Sequence, residues 1–302
     1  MSCDGNVPDS RRMAELLEAL AQREGFSQTL LDGVQVIKSS HTQPQRPIVY
    51  RPCIVIVVQG RKVGYFGDSI VTYDPDNYLV LSVPMPFECA IAKADEQEPF
   101  LALSVDVDAS VLGELVMELG HSASDVPKPC AAYSSRPTQK LRDAALRLAE
   151  LLQSQEDTRI LGRQAVREIH YRVLQGEQSP MLLAMTGVRG VFSHIARALH
   201  RIHAEYHNPL DVQSLASEAN MSVPVFHRHF KTITSLSPIQ YLKSIRLHKA
   251  RMLMAQNGHS VKTAAAEVGY ASQSQFSREF KRFFGTSPME ETARTRDIGF
   301  PR

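Results

Sequence analysis

This 302-residue chain has four cysteines, no long apolar run and very little histidine in its first third. Cys3, Cys53, Cys89 and Cys130 all lie in the first half and have neither metal-type nor redox-type spacing. That predicts reduced thiols rather than a disulfide framework. Ile54–Val58 is only strand-sized, whereas a membrane helix needs roughly 20 apolar residues. The charged stretch from Arg11 to Glu24 does not resemble a secretory core. A soluble, cytoplasmic protein without a membrane partner is expected. Between Leu31 and Asp108 the single histidine is His41. A barrel-type metalloenzyme would need a facial cluster such as two histidines and a carboxylate. The sequence also lacks a P-loop, a dinucleotide fingerprint and a nucleophile elbow. No catalytic residue and no cofactor are therefore expected, and the chain does not read as an enzyme.

The near-neutral total charge conceals a division. Val191–Arg302 carries 15 basic and 8 acidic residues, and Met1–Gly190 carries 19 basic and 24 acidic. A basic segment joined to an acidic one points to a polyanion partner for the last third only. Two domains suit this length. Residues 11–24 predict a short amphipathic helix closed at Gly25. IVIVVQG, KVGYFGD, SIVTY, NYLVLSV and FLALSVDV then recur about every 10 residues between Gly, Asp and Pro turns, as in an antiparallel sandwich or barrel. From about Ala109 the pattern turns helical. Gln139–Gln153 and Ile160–Leu174 carry apolar residues three to four apart, including Leu141, Ala145, Leu148, Val166, Ile169 and Val173. Those two helices could form a dimer surface, or their apolar stripes could pack only on the barrel.

The last third contains an internal repeat. Ser222–Pro238 aligns with Ser272–Pro288 at an offset of 50, matching Phe226 with Phe276, Arg228 with Arg278, Phe230 with Phe280 and Lys231 with Lys281. Each copy follows a short alanine-containing helix and a tight connection, Asn220-Met221 or Gly269-Tyr270-Ala271. This is the grammar of a helix-turn-helix: small residues (Ala216, Ala265) where helices cross, then Gly or Asn for positive φ, then a serine N-cap (Ser222, Ser272). Phe226, Phe230 and Ile233, like Phe276, Phe280 and Phe283, form an inward stripe. The opposite faces carry Pro224, His227, Arg228 and Lys231 in the first copy, and Ser274, Ser277, Arg278 and Lys281 in the second. Arginine pairs bidentately with guanine, and Gln273, Gln275 or Ser277 is placed to reach base edges or phosphates. Lys231, Lys281 and Arg282, nearer the helix ends, suit backbone phosphates.

Pro238–Asn257 predicts one helix between the copies, closed at Gly258, with Lys243, Arg246, Lys249 and Arg251 mostly off its apolar face. Held this way, both second helices meet one DNA face only if they lie about one turn, roughly 34 Å, apart; otherwise the DNA must bend. Two other clusters give a regulator different inputs. His200, His203 and His207 fall at i, i+3 and i+7 and would share one helix face, which reads first as a solvated face before the first unit and alternatively as a metal site. Cys53 and Cys89, in or beside strands, read by default as buried structural thiols, with redox or electrophile sensing as the alternative.

At these residues the sequence resembles the AraC/XylS family of bacterial transcription regulators. The resemblance rests on the tandem units, the R-L-x-x-A-R-x-L stretch at Arg246–Leu253, AAAEVGY at Ala264–Tyr270, SQFSREF at Ser274–Phe280 and FGTSP at Phe284–Pro288. Tyr50–Lys62, Gly67-Asp68, Tyr73–Pro86 and Pro99–Asp108 resemble the sensing domain of one AraC branch. The resemblance implies an α+β two-domain protein. Its N-terminal part (1–180) is a cupin-like antiparallel β-barrel (about 30–108) with helices (about 109–175). A linker (181–190) leads to an all-α tandem helix-turn-helix domain (191–302), with units at about 210–234 and 260–284. It also implies a homodimer that takes a small-molecule effector in the barrel and activates nearby genes at promoter DNA with RNA polymerase. A cupin-type metalloenzyme is the remote alternative. Pro224, His227, Arg228, Gln273, Ser274, Ser277 and Arg278 match the family's groove-facing positions. Ser235 departs from the pattern, standing where the second copy has Gly285.

Overall fold

Cys53–Gln59 (β4) is apolar at every position but its last, because both of its faces are covered. Cys53, Val55 and Val57 point to one side, and Ile54 and Ile56 to the other. This alternation runs through the N-terminal domain of a computed structural model that describes residues 9–66, 69–119, 131–176, 182 and 191–295. The Gly67-Asp68 turn, Cys3, Cys130 and all of the expected linker but Leu182 lie outside the described residues.

The strands are β1 (Gly25–Gln28), β2 (Val34–Ser39), β3 (Gln43–Tyr50), β4, β5 (Arg61–Phe66), β6 (Ser69–Tyr73), β7 (Tyr78–Leu81), β8 (Met85–Lys93), β9 (Phe100–Asp106) and β10 (Ala132–Ser135). They form a six-stranded sheet, β1-β2-β9-β4-β7-β10, and a four-stranded sheet, β3-β8-β5-β6. All pairings are antiparallel. Between the sheets lie Phe26, Tyr50, Phe66, Tyr73, Phe87 and Phe100. The outer face of the six-stranded sheet is closed by α1 (Asp9–Leu20), α2 (Ala109–Leu119), α3 (Gln139–Leu151) and α4 (Gln155–Leu174).

Three details differ from the sequence reading. The first helix ends at Leu20 rather than Glu24, and Gly25, at φ 86°, opens β1 instead of capping the helix. Helix α4 starts at Gln155, five residues early, because the Ser154 side chain accepts from the Asp157 amide and caps it there. Strand β10, in the part expected to be helical, adds to β7 at the edge of the larger sheet.

The C-terminal domain is all α: α5 (Val191–Glu205), α6 (Val212–Glu218), α7 (Val223–Thr234), α8 (Pro238–Asn257), α9 (Val261–Glu267), α10 (Gln273–Phe284) and α11 (Pro288–Thr295). The first unit's core, around Phe226, Phe230 and Tyr241, is continuous with the core between the sheets. The second unit has its own, around Phe276, Phe280 and Met254. Helix α8 begins with a capping box between Ser237 and Gln240 and ends at Gly258, φ 68°.

Candidate DNA interface and junction cavity

Each unit is a helix, a tight turn and a second helix, and the two turns close with equivalent bonds. The Met221 amide donates to the Ala216 carbonyl at 2.9 Å, and the Tyr270 amide to the Ala265 carbonyl at 2.9 Å. Both alanines are buried at the crossing, as the sequence predicts. Asn220 takes φ 52° and Gly269 φ 86°. At Gly269 no other residue fits, since a Cβ there would sit 2.5 Å from the His207 carbonyl oxygen.

The caps differ between copies. The Ser272 hydroxyl accepts from the Gln275 amide at 3.3 Å, whereas Ser222 makes no side-chain cap bond. Pro224 stands in the first turn of α7 and has no N–H to offer. At the other end, Ser235 adopts φ 61° and its amide reaches the Lys231 carbonyl at 2.8 Å. The serine thus makes the left-handed cap that Gly285, φ 77°, makes in the second copy.

Phe226, Phe230, Ile233, Phe276 and Phe280 are buried as expected, and Phe283 is half-buried. On the outer faces Pro224, Arg228, Lys231, Gln273, Ser274, Arg278, Lys281 and Arg282 are exposed, and His227 and Ser277 are half-buried. Among the described residues Arg228, Lys231, Arg278, Lys281 and Arg282 form no ion pair. Two cationic stripes thus face outward, one on α7 and one on α10. Gln275 is instead held by its own helix, with Nε2 3.2 Å from a Glu279 carboxylate oxygen.

Glu279 is a residue that the repeat did not single out. Its carboxylate also accepts from Lys243 Nζ at 3.1 Å and the Tyr270 hydroxyl at 2.9 Å. Burial opposes its charge, but the bonds from Gln275, Tyr270 and Lys243 outweigh this and its pKa is lowered. The network ties α10 to α8, while His229 stands at the matching position of the first copy. Arg246 is not on a solvated face either. It donates to the carbonyls of Tyr206 (2.7 Å), Asn208 (2.9 Å) and Gly269 (3.3 Å), and so fixes the second turn against the end of α5. A sequence lacks the depth information that separates such an arginine from a DNA-facing one.

The histidine cluster does not assemble. His203 turns inward and its Nε2 lies 2.7 Å from the Tyr241 hydroxyl, while His207 falls beyond the end of α5. Among the described residues no group of three His, Cys, Asp or Glu is arranged to hold a metal. His41 is exposed between β2 and β3. Burial pushes the Cys53 thiol up to about 12, which leaves it a poor nucleophile. Cys89 is buried in β8 and lines a small cavity.

That cavity, about 80 Å³, lies where the barrel meets α8 and α11. Lys62 stands in its wall, 3% exposed, with Nζ 2.8 Å from the Tyr50 hydroxyl and 5.3–5.9 Å from the ring centres of Tyr50, Phe26 and Phe100. Burial penalises the charge on Lys62, but Cys89 and Tyr50 beside it outweigh that and its pKa is raised. Among the described residues no carboxylate pairs with Lys62. Arg251 of α8 enters from the other side, 6% exposed, with its guanidinium 4.7 Å from the Phe284 ring centre and 3.3 Å from Glu291 of α11. Burial lowers its pKa to about 10, so it stays charged at neutral pH. A second cavity, of about 280 Å³, lies between α1, α3 and β4 and is lined by Asp74, Arg142 and Asp143.

The matches to known proteins follow this division. Residues 30–181 match the family of AraC-type transcriptional regulator N-termini, and residues 215–294 match a helix-turn-helix domain. The first match covers half of the chain, and the protein belongs to the AraC-type transcriptional regulators. AlkR of Acinetobacter baylyi, an HTH-type transcriptional regulator, is 37% identical over 94 residues, 31% of each chain. RhaS of Salmonella arizonae, an HTH-type transcriptional activator, is 36% identical over 78 residues, 26% of this chain and 28% of that one. The chain therefore matches under a third of the length of these relatives. ToxT of Vibrio cholerae shares the fold over 86% of this chain and 97% of its own, with a TM-score of 0.61 at 11% identity. A structure of ToxT with unsaturated fatty acid bound has a TM-score of 0.61 at 13% identity. Among the described residues no helix is long and apolar enough to cross a membrane.

Proposed function

We propose that this AraC-type regulator reads a promoter with α7 and α10 in successive major-groove segments and activates neighbouring genes with RNA polymerase in the cytoplasm. The observation that carries this reading is the pair of outward stripes, Arg228 with Lys231 and Arg278 with Lys281 and Arg282, free of ion pairs among the described residues. Arg228, His227, Gln273, Ser274, Ser277 and Arg278 are the candidates for base edges. Pro224 shapes the first turn of α7, and the lysines and Arg282 meet phosphates. Selection of bound sequences from a random duplex pool with the purified chain tests it. A bipartite motif with segments about 10 bp apart is expected; recovery of no motif contradicts it.

The input is a small anionic effector with an apolar body, held at the junction cavity by Lys62, Arg46 and Arg251. Supporting this, Lys62 is a buried ammonium without a carboxylate partner among the described residues, a charge that a bound anion would balance. The fatty acid named with ToxT belongs to that chemical class. The chain works as a homodimer through α4, whose Ile160 and Leu161 are 56% and 45% exposed. Ile160→Glu with Leu161→Glu is expected to halve the mass measured by sedimentation; an unchanged mass contradicts the dimer face.

A further inference from the structure

The junction cavity is far smaller than the roughly 300–1,000 Å³ of pockets that take drug-sized ligands. An effector with an apolar body must therefore move one of its walls. The barrel wall comes from β1 and β2 of the larger sheet and β3, β8 and β5 of the smaller one, and within each sheet backbone pairing holds the strands side by side, Phe26↔Ile37 in the first and Arg46↔Cys89 and Lys62↔Ile91 in the second. The opposite wall is two side chains from the other domain, Arg251 of α8 and Glu291 of α11. Lys38, Arg46, Lys62 and Arg251 bring four positive charges to this space, Lys38 already paired with Glu18 at 2.7 Å, and Glu291 brings one negative charge. Glu291 accepts from Arg251 at 3.3 Å and from the Thr286 hydroxyl at 3.0 Å. Thr286 lies in the short connection after α10 and Glu291 in the first turn of α11, so their bond links this carboxylate to the end of the second recognition helix.

We propose that Glu291 holds the place of the effector's anionic group, so that an anionic effector enters only by displacing Glu291 from Arg251 and swinging α11 away from the barrel. The proposal rests on the reading that this cavity is the effector site, and it adds a direction to the coupling. Effector binding and docking of α11 exclude each other. A ligand that binds only the undocked arrangement shifts the population toward it. Binding then loosens the second helix-turn-helix from the barrel, while the first, which shares the barrel's core, stays attached.

The full chain, titrated calorimetrically with decanoate as the probe, tests this. Glu291→Gln removes the competing charge and is expected to bind decanoate at least fivefold more tightly than the parent. Lys62→Gln is expected to bind it at least tenfold more weakly. Amide exchange over residues 286–291 should be fast in Glu291→Gln without the probe, and fast in the parent only when decanoate is saturating. If Lys62→Gln loses binding while Glu291→Gln binds like the parent or more weakly, displacement is wrong and the effector site stands. If the parent does not bind decanoate, or Lys62→Gln binds it equally well, the effector site is wrong and displacement fails with it.

Discussion

His203 Nε2 lies 2.7 Å from the hydroxyl of Tyr241, and that hydroxyl in turn donates to the Pro84 carbonyl of the barrel. Because the single tyrosine proton goes to Pro84, the neutral imidazole carries its own proton on Nε2 and donates it to Tyr241. Three parts of the chain meet there: α5, the connector α8 and the segment leading into β8. Tyr241 is fully buried and packs edge-on against Phe230 at 5.5 Å, so the same residue also belongs to the core of the first helix-turn-helix.

Tyr241→Phe keeps the ring and deletes the relay. It leaves the Pro84 carbonyl and His203 Nε2 short of a partner, which costs about 1–3 kcal/mol. Thermal unfolding is expected to begin several degrees earlier. An unchanged midpoint would show that the hydroxyl does not hold the domains together.

Burial first, then the charges of Lys249, His200 and Arg51, lower His203 to about 4 from its ordinary 6.5. The unfolded chain therefore takes up this proton at a higher pH than the folded one. Stability attributable to His203 is complete above pH 6.5, declines as pH falls, and is lost by about pH 4. The difference is about 3 kcal/mol. His170 and His248 are also buried and lowered, so the comparison must be with a single variant. His203→Gln keeps a donor to Tyr241 and should flatten urea-midpoint curves between pH 6.5 and 4. A curve parallel to the parent's would remove His203 as the cause.

The two turns of left-handed backbone give opposite expectations. Ser235 takes φ 61° where glycine carries no Cβ penalty, so Ser235→Gly should stabilise the chain by about 0.5–1 kcal/mol. Gly269→Ala places a Cβ 2.5 Å from the His207 carbonyl at φ 86° and should cost about 2–3 kcal/mol. Chemical denaturation of the two variants reads both signs, and equal shifts would contradict the strain argument.

The repeat made the C-terminal domain legible because it shows the same local chemistry twice. Phe226 and Phe276 at one offset, Asn220 and Gly269 at the turns, and Ser237 opening α8 before Gln240 are short-range signals. The β part was readable as strands because Cys53–Gln59 and its neighbours carry β-branched runs between turn residues. The rest depended on long-range packing. Nothing local in AYSS at Ala132–Ser135 says that it pairs with β7, about 50 residues earlier. Arg246, Arg251 and Glu279 have the composition of solvated charges, and only the assembled fold buries them. His203 shares its spacing with a ligand cluster, yet its partner is 38 residues away.

If α7 and α10 read DNA as two unlike half-sites, a base-by-base binding profile of Arg228→Ala and Arg278→Ala separates their contributions. With a duplex selected by the parent chain, each variant is expected to lose about 1–3 kcal/mol. The loss should be confined to one of two segments about 10 bp apart, a different segment for each variant. If both variants bind every substituted duplex as the parent does, the two stripes are not the reading surface.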